Sequence, residues 1–194
     1  MLSGGFDALL RLHGLKSGKA LREFRGHDSF VDCCAFSASG AQVLSGSSDG
    51  SVKIWDARTA ACLHSFRPPG SGELMDVGVH TIATVPGDDE RIIVCGRAAT
   101  AHMLTLDGKV AQAYASDNPS CCFAACALSP QGTWLYCAGD DHKLYCFSVA
   151  AGTLNHTLPV HERDIVGLAH HPHRNLLATY ARDGTLKLWR SSKK

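Results

Sequence analysis

His27, Ser45 and Asp49 supply the residue types of a base, a nucleophile and an orienting acid within one short stretch of this chain. A His that takes the proton of a Ser hydroxyl while an Asp holds its ring is the machinery of acyl transfer. A second set, His161, Thr179 and Asp183, follows at a constant offset of 134 residues. That duplication argues against catalysis, because a hydrolase needs one activated nucleophile in one pocket with an oxyanion hole. There is no G-x-S-x-G elbow, and Gly46-Ser47-Ser48-Asp49-Gly50 reads as a hairpin rather than a strand-to-helix turn. A structural network explains the spacing better. The turn carboxylate orients the His, which ties the strand hydroxyl to the indole N–H of Trp55, or of Trp189 in the second set. The sequence therefore predicts a structural hydrogen-bond network, with no catalytic, metal-binding or cofactor-binding residue.

The elements that position these residues follow from a longer repeat. Ser51-Val52-Lys53-Ile54-Trp55 recurs as Thr185-Leu186-Lys187-Leu188-Trp189, and weaker copies open the chain and run up to Phe147. Marked by their Asp residues (Asp7, Asp49, Asp141, Asp183), the copies lie 49 − 7 = 42, 141 − 49 = 92 and 183 − 141 = 42 residues apart. The middle interval is about double, so it hides a fifth, eroded copy. A period of about 40–45 residues ending in a Trp-Asp-like dipeptide belongs to β-propeller blades.

The best copy gives four short strands: Val31–Phe36, Gln42–Ser47, 51–55 and Cys62–Phe66, with Asp49-Gly50 as a tight turn. In the opening copy, Ser3 and Asp7 are kept and His13 replaces the Trp; in the copy at offset 92, Cys137 replaces the hydroxyl and Phe147 the Trp. The eroded copy reads as strands over 79–85, 91–95, 100–106 and 109–114. The predicted fold is thus all-β, an incomplete propeller of three full four-stranded blades and two partial ones. Its divisions are a partial blade (strands b–d) over 1–25, a blade over 26–67, a degenerate blade with a flexible insert at 68–76 over 68–118, a blade over 119–159, and a blade lacking its last strand, with a basic tail, over 160–194. Because a propeller closes with about four to eight blades, the chain reads as the C-terminal part of a larger ring, a truncated product, or a chain completed from elsewhere.

Composition removes several function classes. The net charge is +1, which gives no global attraction to nucleic acid or anionic membrane. No apolar run approaches the ~20 residues of a membrane-spanning helix, and the first residues lack a signal-peptide pattern. Nine cysteines are an odd number. The doublets Cys33-Cys34 and Cys121-Cys122 point to opposite strand faces, so neither is a two-ligand metal clamp. Cys126, Cys137 and Cys146 sit in apolar strand patterns, as reduced thiols do in a reducing compartment, cytosol or nucleus. His161, His170, His171 and His173 lack a Cys or carboxylate at ligand spacing, so a strand end running into a turn is expected there rather than a metal site. Asp140-Asp141 reads as turn chemistry. Phe30 and Asp32, just after the loop His, are expected near one mouth of the channel, on a rim where partners bind.

Certain wording is more specific than the spacing. Leu12-His13-Gly14-Leu15-Lys16-Ser17-Gly18-Lys19, Glu23-Phe24-Arg25-Gly26-His27, Cys126-Ala127-Leu128-Ser129-Pro130 and Gly167-Leu168-Ala169-His170-His171-Pro172-His173 closely resemble the Smu family of WD40 pre-mRNA splicing factors (suppressor of mec and unc). That family also carries His at the position of His13 and a His-His-Pro-His run in its last blade. The resemblance implies a nuclear, non-catalytic scaffold that joins the spliceosome before activation, with protein partners that include a RED-like protein. The family's helical LisH and CTLH region, its main dimerisation and RED-docking element, is not in this sequence, nor are its first blades. No basic stripe or aromatic platform marks a specific nucleic-acid site. A generic WD40 adaptor, for instance in substrate recruitment to a ubiquitin ligase, and a truncated non-functional product remain the alternative readings.

Overall fold

Short runs of alternating side chains, broken by Asp-Gly and Ser-Gly turns, leave the chain little choice but hairpins. The computed structural model describes residues 1–70 and 78–190, and those residues form eighteen strands and no helix. The first sheet holds β1 (Leu2–Gly4), β2 (Leu10–His13) and β3 (Ala20–Phe24). The second holds β4 (Val31–Phe36), β5 (Gln42–Ser47), β6 (Val52–Asp56) and β7 (Cys62–Phe66). The third, in the eroded copy, holds β8 (Val79–Thr84), β9 (Arg91–Gly96), β10 (Thr100–Thr105) and β11 (Val110–Ala115). The fourth holds β12 (Phe123–Leu128), β13 (Trp134–Gly139), β14 (Lys143–Ser148) and β15 (Leu154–Pro159). The fifth holds β16 (Ile165–His170), β17 (Leu176–Ala181) and β18 (Leu186–Arg190). Strands lie in chain order within each sheet, so the described residues form three four-stranded and two three-stranded propeller blades. Residues 71–76 of the insert expected at 68–76, and 191–194 of the basic tail, lie outside the described residues.

The chain forms two compact units, Met1–Arg97 with His102–Ala111, and Ala98–Ala101 with Gln112–Lys194. In the first unit, β5 is buried on both faces, and its residues divide between two cores by strand alternation. Val43 joins Leu10, Phe24, Val31 and Trp55. Its neighbour Leu44 joins Val52, Ile54, Val79, Ile92 and Val94 on the other side. In the second unit, Ala138, Leu144, Cys146, Ile165 and Leu177 form the corresponding core.

Two local devices recur from blade to blade. The first strand of each of the last four sheets carries a register shift just after its first residue, at Val31/Cys33, Val79/Thr81, Phe123/Ala125 and Ile165/Gly167. Such a bulge sharpens strand twist and re-aims the following side chains. The second device is a small residue on the second strand. A Cβ at Gly4 would meet the Val31 carbonyl oxygen at 2.6 Å, and one at Gly46 would meet Val79 Cγ1 at 2.5 Å. The absent side chains let the next sheet's leading valine come that close. In the fifth sheet the same position is Tyr180, whose ring lies over Gly167 of its own sheet. There Leu186 and Leu188, which match the fully buried Val52 and Ile54, are 65% and 62% exposed.

Candidate functional site

The network of the second sheet is assembled from a loop and two strands. His27 precedes β4, Ser45 lies mid-β5, Asp49 occupies the β5–β6 turn and Trp55 lies on β6. Gly50 adopts φ +78°, the left-handed conformation that closes this turn and aims Asp49 back at the loop. His27 Nδ1 lies 3.0 Å from Asp49 Oδ2, and His27 Nε2 lies 2.7 Å from Ser45 Oγ. Trp55 donates its Nε1–H to the same Ser45 oxygen at 2.8 Å. A carboxylate only accepts, so His27 donates from Nδ1 to Asp49; Nε2 then accepts the Ser45 hydroxyl, whose oxygen receives the indole N–H. Asp49 Oδ2 also accepts the Asp28 amide at 3.0 Å and Oδ1 the Ser51 amide at 2.7 Å.

Electrostatics agree with this one-way chain. Burial pulls the His27 imidazole below its ordinary value, and the Asp49 carboxylate only partly offsets that. Burial alone would raise the Asp49 carboxyl, but hydrogen bonds from Ser51, Asp28 and His27 hold it down at about 2. The ring is therefore neutral beside an ionised carboxylate. Ser45 is 0% exposed, and its oxygen is already engaged by the Trp55 and His27 nitrogens.

The fifth sheet brings its set together with one difference. His161 Nε2 lies 2.8 Å from Thr179 Oγ1, and Trp189 Nε1–H donates to the same oxygen at 2.9 Å. Asp183 makes no direct hydrogen bond to His161. Its Oδ1 accepts the Thr185 hydroxyl at 2.7 Å, and Thr185 Oγ1 lies 3.1 Å from His161 Nδ1. The fully buried Thr179 thus has the same surroundings as Ser45, with Thr185 inserted between acid and ring.

The degenerate copies rebuild the site with other groups. In the first sheet, His13 Nε2 lies 2.8 Å from Ser3 Oγ, which puts an imidazole where the indole stands elsewhere. Asp7 pairs with Arg11 at 2.7 Å. In the fourth sheet Pro119 occupies the position of the loop His. Asp141 there accepts the Tyr145 hydroxyl at 2.7 Å, the Lys143 ammonium at 3.2 Å, the Asn118 amide at 3.4 Å and the Cys121 thiol at 3.5 Å. Burial would raise the Asp141 carboxyl, and these donors bring it below its usual range, while the Tyr145 phenol is pushed well up by burial and by Asp141. Sequence reasoning passed over Tyr145; its signal was a polar aromatic paired in register with Cys137 at the middle of the blade. Cys126, Cys137 and Cys146 are buried free thiols, and burial raises Cys137 well above its ordinary value.

The rim residues sit as follows. Phe30 is 44% exposed and meets Phe6 edge-on at 4.7 Å, and Phe6 is itself 84% exposed. Asp32 is exposed and accepts the Ser48 hydroxyl at 2.6 Å. Phe6 sits beside the repeat marker Asp7, at a position that the repeat pattern itself does not specify.

Comparison with known proteins places this geometry. The family model "WD domain, G-beta repeat" (WD40) matches residues 18–56, 115–148 and 152–190, more than half of the 194-residue chain. The chain is 38% identical over 169 residues to the WD40 repeat-containing protein smu1 of Dictyostelium discoideum, covering 87% of this chain and 32% of that protein. It is 28% identical over 194 residues to the human serine-threonine kinase receptor-associated protein, covering 98% of this chain and 51% of that one. A shorter stretch of 60 residues is 42% identical to human THO complex subunit 6. The chain thus spans from a third to half the length of the first two relatives. The repeated His–hydroxyl–Trp geometry, the blades that hold it and the matched repeats make one conclusion: the chain belongs to the WD40 repeat family.

Proposed function

We propose that the chain is a non-catalytic protein-interaction scaffold that acts in nuclear pre-mRNA splicing before spliceosome activation. The observation that carries this reading is the 38% identity to smu1 over 87% of the chain. The non-catalytic part rests on the buried hydroxyls. Ser45 and Thr179 are 0% exposed and each is shared between an imidazole and an indole, which suits a fastener and not a nucleophile. In this role His27, Ser45, Asp49, Trp55, His161, Thr179, Asp183 and Trp189 hold the blades rigid, so that loops at their ends present fixed surfaces. The rim formed by Phe30, Asp32 and Phe6 offers an exposed aromatic pair beside a carboxylate, the composition of an interface anchor. Partners are spliceosomal proteins, a RED-like protein among them.

The match along 98% of the chain to a receptor-associated WD40 protein favours a second reading, a general WD40 adaptor serving another assembly. One experiment separates the two. The protein is tagged at the C-terminus of its endogenous locus and purified from nuclear extract, and its partners and intact mass are read by mass spectrometry. Spliceosomal subunits support the first reading. Ubiquitin-ligase or receptor-complex subunits support the second, and absence from the nuclear fraction rejects the first.

A further inference from the structure

The second unit carries a cleft of about 410 Å³ that the network does not use. It lies between two equivalent turns of neighbouring blades, β12–β13 and β16–β17, and the His-His-Pro-His run forms one of its walls. His171 is the organiser of that wall. Its Nδ1 accepts the backbone amides of His173 and Arg174 at 3.0 and 3.1 Å, folding the turn so that both residues line the cleft. His170 donates from Nδ1 to the His171 carbonyl at 2.8 Å and stacks on Tyr136 with ring centroids 5.6 Å apart, which fixes its ring. Across the cleft stand Trp134 and Gln131.

The donors left over share one chemistry. The Arg174 guanidinium, the His173 imidazole and the Trp134 indole N–H have no hydrogen-bonding partner among the described residues. No carboxylate lines the cleft. A planar guanidinium with free N–H groups, flanked by imidazoles and an indole face, is suited to an oxyanion with a small apolar group beside it. A nucleic-acid strand fits less well, since it needs a row of cations along its phosphates, and here one guanidinium stands in a chain of net charge +1.

The geometry points to a docking site for an acidic protein segment, with Arg174 and His173 holding a phosphoserine or a pair of adjacent carboxylates and Trp134 covering the neighbouring apolar side chain. This site shares no residue with the Phe30 rim and does not depend on which assembly the chain serves.

The test uses the full protein and four fluorescein-labelled probes followed by anisotropy: the peptide Ala-Leu-phosphoserine-Asp-Glu-Ala, its unphosphorylated twin, a twin with Lys in place of both acids and of the phosphoserine, and a ten-nucleotide uridine RNA. The phosphopeptide is expected to bind saturably, the Lys peptide not at all, and Arg174→Ala to weaken binding about tenfold or more. Equal binding of the unphosphorylated acidic peptide, with the same dependence on Arg174, supports the site with carboxylates as the natural anion. Gln131→Glu, which adds a negative charge opposite Arg174, is the second variant and is expected to weaken binding similarly; each variant is checked for an unchanged melting temperature. Three results overturn the proposal: neither acidic peptide binds, their binding is indifferent to both substitutions, or the RNA binds more tightly than either peptide through the same residues.

Discussion

Ser3 Oγ and His13 Nε2 lie 2.8 Å apart, the same separation that Ser45 Oγ keeps from Trp55 Nε1 one blade later. The first blade has lost its signature Trp and its turn Asp has turned to Arg11, yet the strand hydroxyl still receives a ring nitrogen. What the first, second and fifth sheets share is a ring-nitrogen partner for a strand hydroxyl, because leaving such a group unpaired in the sheet costs more than pairing it returns. The following expectations come from that asymmetry.

Ser45→Ala strands the Trp55 N–H and the His27 ring nitrogen in the core, so it should destabilise the protein by about 2–4 kcal/mol. Ser45→Thr should cost under about 1 kcal/mol, since Thr179 holds that position in the last blade with bonds of 2.8 and 2.9 Å. Urea unfolding midpoints of the two variants check this. Equal losses would mean that volume and not the hydroxyl matters.

Acid should loosen the second blade in two stages. His27 has a folded-state pKa below the ordinary 6.5, so the unfolded chain binds more protons there and stability falls as pH drops below about 6.5. Asp49 is held at about 2 against an ordinary 3.8, so its contribution of about 2 kcal/mol is present above pH 3.8 and is lost as pH falls toward 2. Calorimetric melting temperatures from pH 8 to 2.5 should show both declines. Asp49→Ala should lower the melting temperature at pH 7 and flatten the lower stage; an unchanged melting temperature in that variant would count against a structural network.

Tyr145→Phe should cost about 1–2 kcal/mol by removing the 2.7 Å bond to Asp141. Because Asp141 also collects Lys143, Asn118 and Cys121, the loss should be smaller than for Asp141→Ala. A double-mutant cycle between the two positions should return a coupling of about 1 kcal/mol or more. Additive effects would show that Tyr145 acts through packing alone.

Gly46→Ala tests the approach of successive sheets. Its added methyl would meet Val79 Cγ1 at 2.5 Å and Cys33 Sγ at 2.7 Å, so about 1–3 kcal/mol of strain is expected. Pairing it with Val79→Ala should recover much of the loss. The readout is again the unfolding midpoint, and no recovery would place the strain elsewhere.

Much of this was legible in the chain itself. Period-2 alternation with Asp-Gly turns placed β4, β5 and β7, and the repeat spacing located the eroded sheet between the second and third Asp-marked copies. Both properties depend on residues close in sequence, whose strand geometry and turn conformations are local. The partners of Ser45 were legible too, since a hydroxyl at a fixed register beside a Trp repeats at offset 134. What the tertiary structure alone decided lies between blades or across turns. Thr185 bridges Asp183 to His161 while Asp49 reaches His27 directly, a difference that no spacing encodes. Tyr145 takes over from a missing His because Asp141, left in a partly buried turn, accepts whichever donors the fold brings near. Likewise Arg174 and Trp134, forty residues apart in the chain, line one cleft because the fold packs β12 and β16 of adjacent blades against each other.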